Sequence, residues 1–337
     1  VTHNPFHQAA AAHTWIRGGR YADGAAWKEW LHFVILGQDF EVIANVNLLG
    51  AVPTSPDARL ILLVRRGGWR GNVWTTSDLK VLDGGRRLRV GGSEIAWTPR
   101  GWRLDLVLPD DGVALHAEIL PGAGMRSVPR LPFGAGHEVQ WNVLPWARAT
   151  GEVHVAGEVI PLTDAPAYQD HNHGCFSWGG DFVWEWGAFL PDDAQPAVFS
   201  RLLDRSRHRV RAAGLMTWRD GHGDHFYGDL ETSHTFRGRW RGPHPLTVPP
   251  SLSALVETGA VGIPAQVVVR GHRGHDADTI SVTVASAVRL AVPAEADPLA
   301  TVVVWELTGP ATRARVRDGV TRLIDGRAIL ELVRVRH

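Results

Sequence analysis

From Leu31 onward the sequence breaks into short apolar or alternating runs, parted by Gly, Pro and Asp turns at a spacing of roughly 8–12 residues. No stretch carries the apolar stripe of a long amphipathic helix. Phe40–Leu49 alternates, Leu60–Val64 is a buried run, and Gly67-Gly68 turns the chain. Asp83-Gly84-Gly85 is a hairpin signal ahead of Arg87–Val90. Trp102–Leu108 alternates, Pro109-Asp110-Asp111-Gly112 turns it, and Val113–Leu120 returns it. Ala197–Asp204, Val210–Trp218, Phe226–Arg239, Ala265–Arg270, Thr279–Ala285, Thr301–Leu307 and Ala328–Val335 repeat the texture. Pro243, Pro245, Pro249 and Pro250 mark a loop. Such a chain is expected to be all-β, a sandwich or a barrel. One short helix is predicted over Asp23–Trp30, capped by Asp23, after an irregular start closed by Gly18-Gly19.

The length of 337 residues predicts about two domains, divided near Pro161–Pro166 into 1–165 and 166–337. Thirty-five acidic and 35 basic side chains cancel, which argues against a nucleic-acid partner, since that would need a basic face. A single cysteine excludes an internal disulfide framework and a Cys-rich zinc site. Ala9–Ala12 is too short for the apolar part of a signal peptide, and no run approaches the roughly 18 apolar residues of a membrane span. The expectation is a cytoplasmic protein; association with a membrane surface stays open. Fifteen Trp against three Tyr and two Met is the compositional outlier. Indoles in such number fit a barrel plugged by large side chains, or a flat apolar ligand.

Residues 168–189, YQDHNHGCFSWGGDFVWEWGAF, mix aromatics with acids and imidazoles as neither a surface loop nor a plain core strand requires. They read as strand, Gly-rich turn, strand. In an extended chain Tyr168, Asp170 and Asn172 share one face, and Gln169, His171 and His173 the other, with Gly174 ending the run. Beyond the turn, Phe182, Trp184 and Trp186 oppose Val183, Glu185 and Gly187.

On these residues the chain resembles the carotenoid 1,2-hydratase (hydroxyneurosporene synthase) family and its relatives, the lipocalin-like Diels–Alderases. The family run Tyr-x-Asp-His-Asn-Trp-Gly stands here as Tyr168 to Gly174, followed by Trp178-Gly179 and Trp184-Glu185-Trp186-Gly187. A second element, Glu-Trp-Trp-Tyr-like, stands as Glu29-Trp30-Leu31-His32-Phe33. His173 replaces a Trp, and Leu31-His32 replace Trp-Tyr. The resemblance implies two lipocalin-like β domains with an apolar pocket at or near their junction, and no organic cofactor. It also implies an apolar substrate, a terpenoid or polyene.

Adding water to an isolated alkene needs a proton donor, a site that tolerates a carbocation, and one placed water. Asp170, between Trp-rich segments, is the candidate acid, with Tyr168 and Asn172 orienting it or the water. His171 or His173 would be the base, although strand parity puts both on the face away from Asp170 unless the strand is bulged there. Trp30, His32, Trp178, Trp184, Glu185 and Trp186 are the candidate substrate-binding residues, with Trp faces stabilising a cation. Glu185 is also placed to pair with an Arg across a strand.

No metal is expected. His171-x-His173 begins as a cupin does, but Ser177 and Trp178 stand where the next Glu would fall, and His222…His225 and His272…His275 sit in Gly-rich turns. Cys175 reads as a buried inert thiol. There is no phosphate loop, dinucleotide fingerprint or Ser elbow. The expected function is therefore cofactor-free acid–base catalysis on an isoprenoid or polyene, by hydration of C=C or proton-triggered cyclisation. The alternatives are a pericyclase that acts by shape, and a hydrophobic-ligand-binding protein without catalysis.

Overall fold

The computed structural model describes residues 27–49, 57–134, 136–193, 195–219, 222–250, 262–295, 297 and 299–336. The irregular start expected over residues 1–20 lies outside them, as does the first part of the expected helix. The chain forms two compact units, 1–176 and 177–337.

The first unit is one 12-stranded antiparallel sheet. Its strands are β1 (Trp27–Leu36), β2 (Glu41–Leu49), β3 (Asp57–Arg66), β4 (Gly68–Thr76), β5 (Leu79–Leu82), β6 (Arg87–Val90), β7 (Ser93–Thr98), β8 (Gly101–Leu108), β9 (Val113–Pro121), β10 (Arg126–Gly134), β11 (His137–Val155) and β12 (Glu158–Cys175). The spatial order is β4-β3-β2-β1-β12-β11-β9-β8-β7-β6-β5, with β10 on β11. The sheet curls until β3 and β4 approach β8 and β9, giving a nearly closed lipocalin-like barrel. Leu31, Phe33 and Ile35 of β1, Leu104 and Leu106 of β8, and Leu144 and Ala147 of β11 face its apolar interior. Trp102 is buried there, edge-on to Phe33 (5.6 Å, 83°) and Trp97 (5.1 Å, 70°).

The second unit is an 11-stranded sheet. It comprises β13 (Val183–Pro191), β14 (Ala197–Leu203), β15 (Val210–Arg219), β16 (His222–Tyr227), β17 (Thr232–Arg237), β18 (Leu246–Val248), β19 (Gln266–Arg273), β20 (Asp276–Thr283), β21 (Ser286–Pro293), β22 (Thr301–Arg317) and β23 (Val320–Arg336). Its main path runs β16-β15-β14-β13-β23-β22-β20-β19-β17. Phe189, Phe199, Val269, Ile280, Trp305, Leu330 and Leu332 fill the interior of this second barrel-like sheet.

Three expectations are corrected. Residues 27–30 are strand, not helix: β1 pairs along its length with β2 on one side and with β12 on the other, and this pairing overrides the local helical spacing. The division falls after Phe176, because β12 continues through Pro161 and Pro166 to Cys175, both prolines in register with β11 and one irregularity, between Ala149 and Gly151 of β11, falling between them. Phe226–Arg239 is two strands, broken after Tyr227 where Glu231 N–H closes a turn on Gly228 O.

Candidate active site

The pairing of β1 with β12 builds the site. Its register is continuous from Trp27↔Cys175 to Ile35↔Ala167, so strand parity holds without a bulge. Leu31, Phe33 and Ala167 identify the barrel-interior face. Tyr168, Asp170 and Asn172 therefore stand on the outer face, beside Trp30 and His32, the register partners of Asn172 and Asp170. Both faces of β1, and of β12 from Ala167 to Cys175, are buried, although this stretch of β12 is largely polar.

Asp170 is the hub. Tyr168 Oη donates to its Oδ2 at 2.7 Å and Asn172 Nδ2 to its Oδ1 at 2.6 Å. Each oxygen thus accepts from a neighbour two residues along the same strand, which fixes the carboxyl plane. His32 meets the Tyr168 ring edge-on, centroids 6.4 Å apart. Burial pushes its imidazole down to about 4, so it is neutral at physiological pH. Asn45 and Asn47 of β2 continue the polar row opposite His32 and Trp30. Trp30 packs edge-on against Phe176 (5.8 Å), and Lys28 Nζ donates to the Phe176 carbonyl at 2.6 Å.

His171 and His173 lie on the opposite, interior face. A base role for either beside Asp170 is therefore corrected: with no bulge, neither imidazole reaches that side of the sheet. His171 Nε2 is 2.7 Å from Glu29 Oε1 instead, and the two imidazole rings are 5.5 Å apart. Burial, with His171 and Arg130 nearby, pushes His173 down to about 4.

In the second unit Trp184 and Trp186 face away from the barrel interior, as parity requires. Trp178 and Phe182 both pack at a tilt against Trp184, with ring centroids 5.3 and 5.7 Å away. Trp184 Nε1 donates to Glu331 Oε2. Glu331 is the register partner both of Trp186 and of Glu306 on the next strand. Burial pushes the Glu331 carboxyl above the usual carboxylate range, against the hydrogen bonds with Trp184 and Glu306. This carboxyl pair beside three aromatics was missed in the sequence. Its only signal was one Glu inside each of two apolar runs, TVVVWELTG and AILELV.

Glu185 does not join that aromatic face. It points into the second barrel, where Arg201 Nε (2.8 Å) and Arg207 Nη2 (2.8 Å) grip it, and Arg334 (3.7 Å) and His234 (3.6 Å) stand close. Burial works to raise this carboxyl, but His234, Arg201, Arg334 and Arg207 outweigh it and hold Glu185 at about 2, against an ordinary 4.5. It is an ion-pair centre, not a substrate-binding acid. Because the unfolded chain takes up this proton first, Glu185 contributes its full stabilisation above pH 4.5 and loses it as the pH falls toward 2. We expect Glu185→Gln to cost roughly 3 kcal/mol at neutral pH and to flatten that acid limb, as checked by urea midpoints at pH 7 and pH 3.

The two nearly closed, mainly antiparallel barrel-like sheets define a lipocalin-like fold. No protein-family model and no curated protein matches the sequence. Solved structures match over nearly the whole chain. A Nitrosomonas europaea protein assigned as AttH is 14% identical at a TM-score of 0.63, over 93% of this chain and 94% of that one. Kievitone hydratase of Nectria haematococca is 15% identical at 0.58, over 92% and 89%. CghA, solved with Sch210972, is 12% identical at 0.54, over 92% and 88%. At these identities the likeness is one of fold.

Proposed function

We propose that this protein is an acid–base catalyst that uses its own side chains to hydrate or cyclise a C=C bond of an apolar isoprenoid or polyene. The observation that carries the reading is the buried Asp170 carboxyl, held on both oxygens by Tyr168 and Asn172 and faced by the neutral imidazole of His32. In its protonated form Asp170 gives its proton to one alkene carbon, leaving a carbocation on the other. The face of Trp30 stabilises that cation by roughly 0.5–2 kcal/mol. In hydration, water adds to the cation and passes its extra proton to His32, from which solvent returns it to Asp170. In cyclisation, a second double bond attacks the cation and a neighbouring C–H gives its proton back to the Asp170 carboxylate, which restores the acid. One structural neighbour is named a hydratase, which supports water addition as the reading to test first.

The test is turnover of acyclic carotenoids, shorter terpenes and linear polyenes in ¹⁸O-labelled water, read by mass spectrometry. We expect product that carries one labelled oxygen. An isomeric product of unchanged mass would overturn hydration in favour of cyclisation. Binding without any product, seen as saturable Trp quenching, would overturn catalysis.

A further inference from the structure

We propose that Glu29, His171 and His173 form a binding site for one divalent first-row transition ion, of the zinc class, inside the first barrel. Their ligand atoms, one carboxylate oxygen and two imidazole nitrogens, all lie within 4.8 Å of one another. All three residues are buried. They project from neighbouring strands onto the same interior face: Glu29 is the register partner of His173, and His171 is the next residue along that face. The uninterrupted β1–β12 register fixes the three Cβ positions, so small side-chain rotations are enough to converge the donors.

The donor chemistry sets the ion. Two imidazoles and one carboxylate suit Zn²⁺, Co²⁺ or Ni²⁺, whereas Ca²⁺ and Mg²⁺ favour all-oxygen shells. The present arrangement leaves a polar atom that an ion would satisfy: His173 Nδ1 is buried with no hydrogen-bond partner. Its ring is already oriented by the Trp27 indole, at 5.3 Å and 31°. Gln169, two residues before His171, shares the same face, and neither of its amide atoms has a hydrogen-bond partner. Such an amide can bind a water in a fourth coordination position. The Glu29–His171 contact of 2.7 Å is then the metal-free state of the site. Binding replaces that contact by two bonds to the ion, each about 2.0–2.2 Å long.

An ion here lies on the face opposite Asp170. Its role is to pin β1 to β12 behind the acid, and it takes no part in the proton chemistry. The proposal does not rest on the reading of Asp170, and either can fail alone.

The test is titration of the full, chelator-treated chain with Zn²⁺ against a chromophoric competitor, and with Co²⁺ followed by visible absorption. We expect one ion per chain, four-coordinate Co²⁺ bands, and a rise in thermal midpoint on adding Zn²⁺. His173→Phe, which keeps the stack on Trp27, is expected to weaken Zn²⁺ binding about 100-fold or more and to abolish both the Co²⁺ bands and the midpoint rise. His173→Leu carries the same comparison if the Phe variant folds poorly. Absence of one-to-one uptake, or uptake and Co²⁺ bands unchanged in these variants, would overturn the site.

Discussion

Asp170→Asn is expected to lower kcat/KM by about 10²–10⁴-fold, the usual worth of a positioned acid, with little change in the fold. The asparagine keeps the shape of the carboxyl. Its oxygen can still accept from Asn172 or Tyr168, and its amide N–H can donate to the Tyr168 hydroxyl, which accepts as readily as it donates. What the variant loses is a proton that can leave. Asp170→Ala is a poorer probe, because it also removes the acceptor to which the buried Tyr168 hydroxyl and Asn172 amide donate, a loss of about 1–3 kcal/mol for each donor that finds no substitute. Steady-state rates of the Asn variant on a responsive polyene, beside its circular dichroism and thermal midpoint, separate the two effects. A rate within a few-fold of wild type would mean that shape alone accelerates the reaction, as in a pericyclase.

The shared face of Tyr168, Asp170 and Asn172 was legible in the sequence because the two-residue period of a strand is covalent. Once 168–174 is extended, Tyr168, Asp170 and Asn172 must share a face. What lies across from them was not legible. His32 reaches the Asp170 face, and Glu29 the His173 face, only through the β1–β12 pairing, which joins strands from opposite ends of the first unit. Any imidazole of β12 itself, His171 or His173, falls on the side of the sheet away from Asp170. Glu306 and Glu331 stayed hidden for the same reason, since each alone looks like a charge in an apolar strand. Among the strands, those with one wet face, such as β8 and β9, show alternation and were found. Two strands without it do not declare themselves: β4 (GWRGNVWTT) is a largely polar strand at the end of the sheet path, and β1 is buried on both faces, which erases the period; β3, buried on both faces as well, is legible only as the apolar run Leu60–Val64. The Asp318-Gly319 turn, with φ of 50° and 75°, was a readable hairpin signal joining β22 to β23.

Asp278→Ala is expected to be among the most destabilising single changes in the chain, at about 3–5 kcal/mol. Asp278 and Arg313 are both fully buried inside the second barrel, with Arg313 Nε 2.8 Å from Asp278 Oδ1. Arg317 Nη2 (2.6 Å) and Tyr227 Oη (2.9 Å) hold the other oxygen. Arg313 Nη1 also donates to the carbonyl of Gln195 at 2.9 Å and lies 3.4 Å from those of Pro196 and Trp218. The guanidinium thereby ties the start of β14 and the end of β15 to β20 across the interior. Removing Asp278 leaves that cation in a dry interior with carbonyls alone to solvate it, and orphans the Tyr227 hydroxyl. Arg313→Met should cost less, because Asp278 keeps Arg317 and Tyr227 and the methionine fills most of the vacated volume. Asp278→Leu combined with Arg313→Met should in turn be more stable than Asp278→Ala alone, since the isolated buried charge is what is expensive and the pair itself contributes little net energy. Urea midpoints of the three variants and wild type, followed by Trp fluorescence, give that order. A double variant no more stable than Asp278→Ala would show instead that the ties from Arg313 to the β14 and β15 carbonyls, not its charge balance with Asp278, hold this end of the barrel together.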